Sequence, residues 1–197
     1  MKTEQRLPFE AINQQLLMVR GAKACLHPEA ARQVCDKIVL AHSVQRSAVL
    51  EKIIGSTNHV GTFFPPELDT RNEVLRLHAL GWRDASTFTG FCAKHDNSTF
   101  APIEKSPFIG TDQQNFLIAY RALCYEIFQK STSLKASSVT EPLLVKGATK
   151  QGKRIVNQVH AAFDRNVAFS LNQLLKLKAR MDKHLVSGDY SGFSSVS

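Results

Sequence analysis

No stretch of the 197-residue chain approaches the ~18 consecutive apolar residues of a membrane span. The opening Met1-Lys2-Thr3-Glu4-Gln5-Arg6 lacks the apolar core of a secretory signal. These absences lead to the expectation of a cytoplasmic protein with no membrane partner. Cysteine is sparse, at four residues. In a reducing compartment these are expected as thiols or thiolates, and since three of them stand near histidines, metal ligation is a better use than two disulfides. The patterns G-x-x-x-x-G-K-[ST], G-x-G-x-x-G and G-x-S-x-G are all missing, which sets aside the usual signatures of nucleotide hydrolysis, dinucleotide binding and serine esterase chemistry. No repeat with a period of about 20–50 residues is present, so a solenoid is not expected.

Acidic residues are scarce in one region. Residues 130–197 hold eleven Lys and Arg against four Asp and Glu, while residues 1–129 hold fourteen against thirteen. The basic character behind the formal net charge of +8 therefore belongs to the C-terminal third. Such an imbalance suits a polyanionic partner, nucleic acid being the common one, and it equally suits a solvated helix face. Lys176, Arg180 and Lys183 are the candidate nucleic-acid contacts.

What is present is a chain with 43% hydrophobic residues, enough for a core of its own. Phe9, Ile12, Leu16 and Leu17 predict an amphipathic helix over Pro8 to Val19, ending near Gly21. Lys37 to Val44 is rich enough in β-branched residues for a short strand that delivers His42 at or near its end. Ser47 to Ile54 reads as a short helix stopped by Gly55, and His59 to Phe64 as a strand stopped by Pro65-Pro66. A helical turn is expected over Glu73 to Leu80. Ala85 to Phe91 approaches Cys92 as loop or short extended chain. Thr111-Asp112-Gln113-Gln114 has capping-box order ahead of Phe116, Leu117, Tyr120, Leu123, Cys124, Ile127 and Phe128, which share one helical stripe and place Cys124 in the core. Residues 131–152, rich in Ser, Thr, Lys and Gly with Pro142, are expected as a connection. A long basic helix follows, with Ile155, Val159, Phe163, Val167, Leu171, Leu174, Leu175, Lys178 and Met181 along one face. From Ser187 the aperiodic tail is expected to be disordered or the cut edge of a longer protein.

The chemistry concentrates in two clusters, Cys25 with Cys35 and Cys92-Ala93-Lys94-His95. Together they supply the four donors of a tetrahedral zinc site, and the C-x-x-H spacing lets both donors of one turn meet one ion. The nine residues between the first two cysteines must close a small loop, with Pro28 to Arg32 as a helical turn or loop. His42 is a fifth candidate for the same shell, and His27, two residues past Cys25, competes for the ion. The alternative is a set of unrelated buried cysteines and surface histidines.

The stretches Cys35 to Ser47 (CDKIVLAHSVQRS), Ala85 to Asp96 (ASTFTGFCAKHD), Phe100-Ala101-Pro102-Ile103-Glu104 and Ala119-Tyr120-Arg121-Ala122-Leu123 resemble a family of uncharacterised bacterial proteins, over about residues 25–130. That resemblance brings no activity with it. At a greater distance, the order of a cysteine pair, a strand ending in histidine and a C-x-x-C-H segment at the start of a helix, here with His95 in place of the second cysteine, is similar to zinc-containing HNH (His-Me finger) nucleases. The resemblance implies a treble-clef-like core in which His42 activates water and Asp96, after the last zinc ligand, helps to hold Mg²⁺ or Mn²⁺. The chain departs from that pattern in its ten-residue Cys25–Cys35 step and in the long span from His42 to Cys92. Asp96 equally suits helix capping, His59 suits a structural role at a strand entrance, and Glu104 is a second candidate carboxylate.

The expectation is an α+β protein. A small zinc-stabilised strand and helix core lies within residues 1–130, a connection spans 131–152, and a basic long helix and tail occupy 153–197, so that the C-terminal half is mainly helical. Its function divides into a structural zinc module that binds nucleic acid or a protein partner, and an HNH-like metal-dependent nuclease with His42 as general base.

Overall fold

A computed structural model describes residues 18–19, 23–32, 35–44, 51–62 and 77–194. The helix expected over Pro8 to Val19 lies outside the described residues except at Met18 and Val19, which are helical, and so does half of the turn expected over Glu73 to Leu80 and half of the helix expected over Ser47 to Ile54. The fold is α+β. Its strands are β1 (Ile38–His42), β2 (His59–Thr62), β3 (His78–Gly81) and β4 (Thr87–Cys92), and its long helices are α1 (Ala93–Glu104), α2 (Asp112–Val145) and α3 (Lys150–Ser187). Two antiparallel pairs form, β1 with β4 and β2 with β3. Leu80, at the end of the expected helical turn, is a strand residue opposite Val60.

The β1–β4 ladder sets the position of everything chemical. Ile38 stands opposite Cys92 and His42 opposite Thr87, with an irregularity between Val39 and Ala41. Gly90 is required within β4 because a side chain there would collide with the Phe88 ring. The chain leaves β4 directly into α1, with Cys92 in extended conformation as the N-cap.

The chain divides into two compact units, one of residues Lys23–Glu126 with Leu177–Ser197 and the other of Met1–Ala22 with Ile127–Lys176. In the first, Phe91, Phe100, Phe116, Leu117, Tyr120 and Cys124 are fully buried, so Cys124 is a core residue as its stripe predicts. Phe91 and Phe100 meet edge to face at 5.1 Å, and the Arg121 guanidinium lies 4.3 Å over the Phe100 ring. The α2 cap forms as expected on one side only. Thr111 Oγ1 accepts the Gln114 backbone N–H at 3.2 Å. The Gln114 side chain instead turns to the α1–α2 connection, where its Oε1 accepts from Ile109 N–H and its Nε2 donates to the carbonyls of Pro102 and Pro107. Residues 188–193 of the tail are built into this unit, since Tyr190 and Phe193 pack on the Phe116 ring at 4.8 and 4.9 Å.

Two expectations about the helices are corrected. Helix α2 runs through Ser131–Val145, and the connection is confined to Lys146–Thr149, where Gly147 takes the left-handed turn at φ 76°. The hydroxyls that suggested a loop are satisfied within the helix: Ser133 donates to the Gln129 carbonyl and Thr140 to that of Ala136. On α3, the residues assigned to one face do not share it. Val167, Leu171 and Leu174 are half-buried and Lys178 and Met181 buried, whereas Ile155, Val159, Phe163 and Leu175 are exposed. The cause is arithmetic: steps of four residues advance about 40° around a helix of 3.6 residues per turn, so the series from Ile155 to Leu171 starts on the exposed side and winds round to the buried one. Lys178 belongs to that side because Asp182 receives its ammonium at 2.8 and 2.9 Å.

Phe100→Ala removes the ring that packs on both Phe91 and Arg121. It is expected to destabilise the fold by about 3–5 kcal/mol, as read from denaturant unfolding.

Candidate metal centre

Three separate segments deliver the cysteines and histidine. Residues 23–26 run beside β4, with Ala24 N–H donating to the Thr89 carbonyl at 3.1 Å and Leu26 N–H to that of Gly90 at 2.9 Å. This holds Cys25 against the strand that ends in Cys92. The chain then makes one 3₁₀ turn over Pro28–Ala31, for which proline at the first position is suited, and returns with Cys35 just ahead of β1. Cys92 caps α1, and His95 follows within the first turn.

The Nδ1 atom of His95 lies 3.2 Å from Cys92 Sγ, 3.4 Å from Cys25 Sγ and 3.7 Å from Cys35 Sγ. Ligand bonds of about 2.3 Å to sulfur and about 2.0–2.1 Å to nitrogen give a tetrahedral zinc site S···N edges of about 3.6 Å. The three observed separations straddle that value. All four donor atoms lie within 4.8 Å of one another, with Cys92 and His95 buried and Cys25 and Cys35 partly so. This Cys₃His group could therefore hold a metal ion, and its donor chemistry fits zinc. Desolvation and the neighbouring thiols of Cys92 and Cys25 push the Cys35 thiol up to about 12, and a bound cation reverses that by favouring thiolates.

His27 has a different place from the one its spacing suggests. Its ring stacks on that of His95 at 4.1 Å with 6° between planes, and its Nδ1 accepts the Glu29 backbone N–H at 3.2 Å. A neutral imidazole has one lone pair, so this bond leaves Nε2 protonated and His27 unsuited to ligation. Burial, then the adjacent His95, lowers its pKa to about 4.

His42 lies at the far end of the β1–β4 ladder from Cys92, about 13 Å along the strand at ~3.3 Å per residue, and is not one of the four clustered donors. Its Nε2 is 3.1 Å from the Arg83 carbonyl, to which it donates. Next to it, Ser43 gives both its N–H and its hydroxyl to the Ser86 carbonyl. Asp96, one turn into α1, meets the Arg121 guanidinium at 3.3 Å, and Arg121 also pairs with Glu104. Burial raises the Asp96 pKa against the opposing pull of Arg121. Both candidate carboxylates are thus engaged by one buried arginine. His59 Nδ1 contacts the Thr57 carbonyl beside its strand.

The residue that sequence reasoning missed is Asp36. Its Oδ1 accepts the Lys94 backbone N–H at 3.0 Å, so it closes the N-terminus of α1 from outside the helix while Cys92, the formal cap, makes no side-chain capping bond. Only its place next to Cys35 hinted at this, because the partner is 58 residues away.

Compared with family models, curated proteins and solved structures, the chain matches none. No helix among the described residues is long and apolar enough to cross a membrane.

Lys94 N–H holds the Asp36 carboxyl below its ordinary range. A depressed folded-state pKa stabilises the fold above the unfolded value of about 3.9 and that stabilisation is lost as pH falls below it. Asp36→Asn is therefore expected to flatten the acid limb of a stability-against-pH curve below about pH 4 and leave the neutral-to-alkaline limb in place.

Proposed function

We propose that the protein is a zinc module that contacts nucleic acid. The observation that carries the metal half of this reading is the set of three sulfurs grouped around His95 Nδ1 at tetrahedral-edge separations. In this role zinc joins the 23–26 segment, the entrance to β1 and the β4–α1 junction, and its binding energy is folding energy. The purified chain is expected to carry about one zinc, and a chelator should lower its unfolding temperature. Metal analysis that finds no zinc, or a chelated protein with an unchanged melt, would remove the reading.

The nucleic-acid half rests on α3. Every exposed charged side chain on this helix is basic: Lys150, Lys153, Arg154, Arg165, Lys176, Arg180 and Lys183, while Asp164 and Asp182 are half-buried. Lys176, Arg180 and Lys183 share one side, since their spacing keeps them within about 60° of one another. Replacing these three with Gln is expected to weaken nucleic-acid binding and to reduce the slope of log affinity against log salt by roughly 2–3, with little effect on the melt. An unchanged slope would assign the charges to solvent.

A second reading is an HNH-like nuclease. It is favoured by one feature, the separation of His42 from the four clustered donors. In that reading His42 takes a proton from water and Asp96 helps to hold Mg²⁺ or Mn²⁺, which requires the carboxylate to exchange its Arg121 partner. His42→Ala should then abolish divalent-ion-dependent cleavage of DNA or RNA while zinc content stays at one per chain. A wild-type chain that cleaves neither polymer with Mg²⁺ or Mn²⁺ leaves the binding module.

A further inference from the structure

The zinc reading leaves one atom of its own shell unexplained. With Nδ1 of His95 turned to the three sulfurs, Nε2 must carry the ring proton, because a neutral imidazole has one donor and one acceptor. His95 is 2% exposed, and its Nε2 is buried without a hydrogen-bond partner among the described residues. Metal-bound histidines ordinarily give this second N–H to a carboxylate, a carbonyl or a water, and that bond fixes ring orientation and raises ligand basicity.

Deepening the zinc reading and resting on it, we propose that Glu29 is this outer acceptor, a positioning residue that receives the His95 Nε2 proton directly or through one water. A carboxylate oxygen of Glu29 and one ring nitrogen each from His27 and His95 lie within 4.8 Å of one another. That separation is spanned by a single water, and on its other side Glu29, with His27, borders a cavity of about 240 Å³. The backbone is already set for the task. His27 Nδ1 holds the Glu29 N–H, and the His27 ring lies flat on His95, so the 3₁₀ turn that carries Glu29 is registered against the ligand it serves. The same three residues do not make a second metal centre. The His27 lone pair is taken by the Glu29 N–H, and His95 would have to hold two ions at once.

The test uses the full chain. Zinc affinity is measured by competition with a chromogenic chelator in wild type, Glu29→Gln, Glu29→Ala and Glu29→Asp, and the His95 ring is followed by nitrogen-15 NMR. Glu29→Gln and Glu29→Ala are expected to keep one zinc per chain but bind it about 10–100-fold more weakly, with Glu29→Asp recovering part of the loss. The slowly exchanging Nε2–H signal of the zinc-loaded wild type should shift or broaden in Glu29→Ala. Unchanged affinity in both the Gln and Ala variants would overturn the role of Glu29 alone. So would weakened affinity with an unaltered Nε2–H signal, since the effect would then come from the turn. A wild-type chain that takes up no zinc would overturn the metal reading together with this one.

Discussion

The convergence of three sulfurs on the Nδ1 atom of His95 is the constraint that orders the rest of the strand and helix region. Thiolates gathered in a mostly buried position repel one another, and a bound cation would offset that repulsion. Each donor arrives on a different device: Cys25 on a stretch held to β4 by backbone bonds, Cys35 after a 3₁₀ turn, Cys92 at a strand end and His95 in the first helical turn. The β1–β4 register and the Asp36 bond to the start of α1 repeat the same closure in hydrogen bonds, so the helix is joined to the start of β1 twice.

Local signals carried the sequence reading where they were dense. Cys92-x-x-His95 at a helix start, β1 ending at His42 and the apolar stripe from Phe116 to Phe128 were all legible, because each is set by residues within one or two turns or strand steps of one another. The Cys25–Cys35 pairing was legible as chemistry even though its loop was irregular. Long-range partners were not. Nothing near Asp36 announces Lys94, and nothing near Asp96 announces Arg121, which lies 25 residues on in another helix. Composition misled at Ser131–Val145, where hydroxyls that favour loops in isolation bond back to their own helix. On α3 the error was geometric, a period of four read as a period of 3.6.

Arg121 shows how charge is managed in the interior of this region. It is 2% exposed, yet it is bound by Asp96 and Glu104 and faces the Phe100 ring. Removing either carboxylate would leave a buried cation short of a partner, which is more costly than the loss of a surface pair. The same three side chains therefore tie α1 to α2 through charge while Phe91 and Phe100 tie α1 to β4 through packing.

The irregularity between Val39 and Ala41 divides the β1–β4 ladder into two short spans. One span ends at the sulfur cluster. The other ends at His42 and is fastened by the bonds of Ser43 and His42 to the Ser86 and Arg83 carbonyls, with no sulfur or metal donor among them. A discontinuity of this kind acts as a mechanical fuse: disorder that begins at one end of the ladder meets an unpaired step before it reaches the other. The amide protons at the two ends of a single pair of strands would then exchange on separate clocks, one governed by the sulfur cluster and one by backbone hydrogen bonds alone.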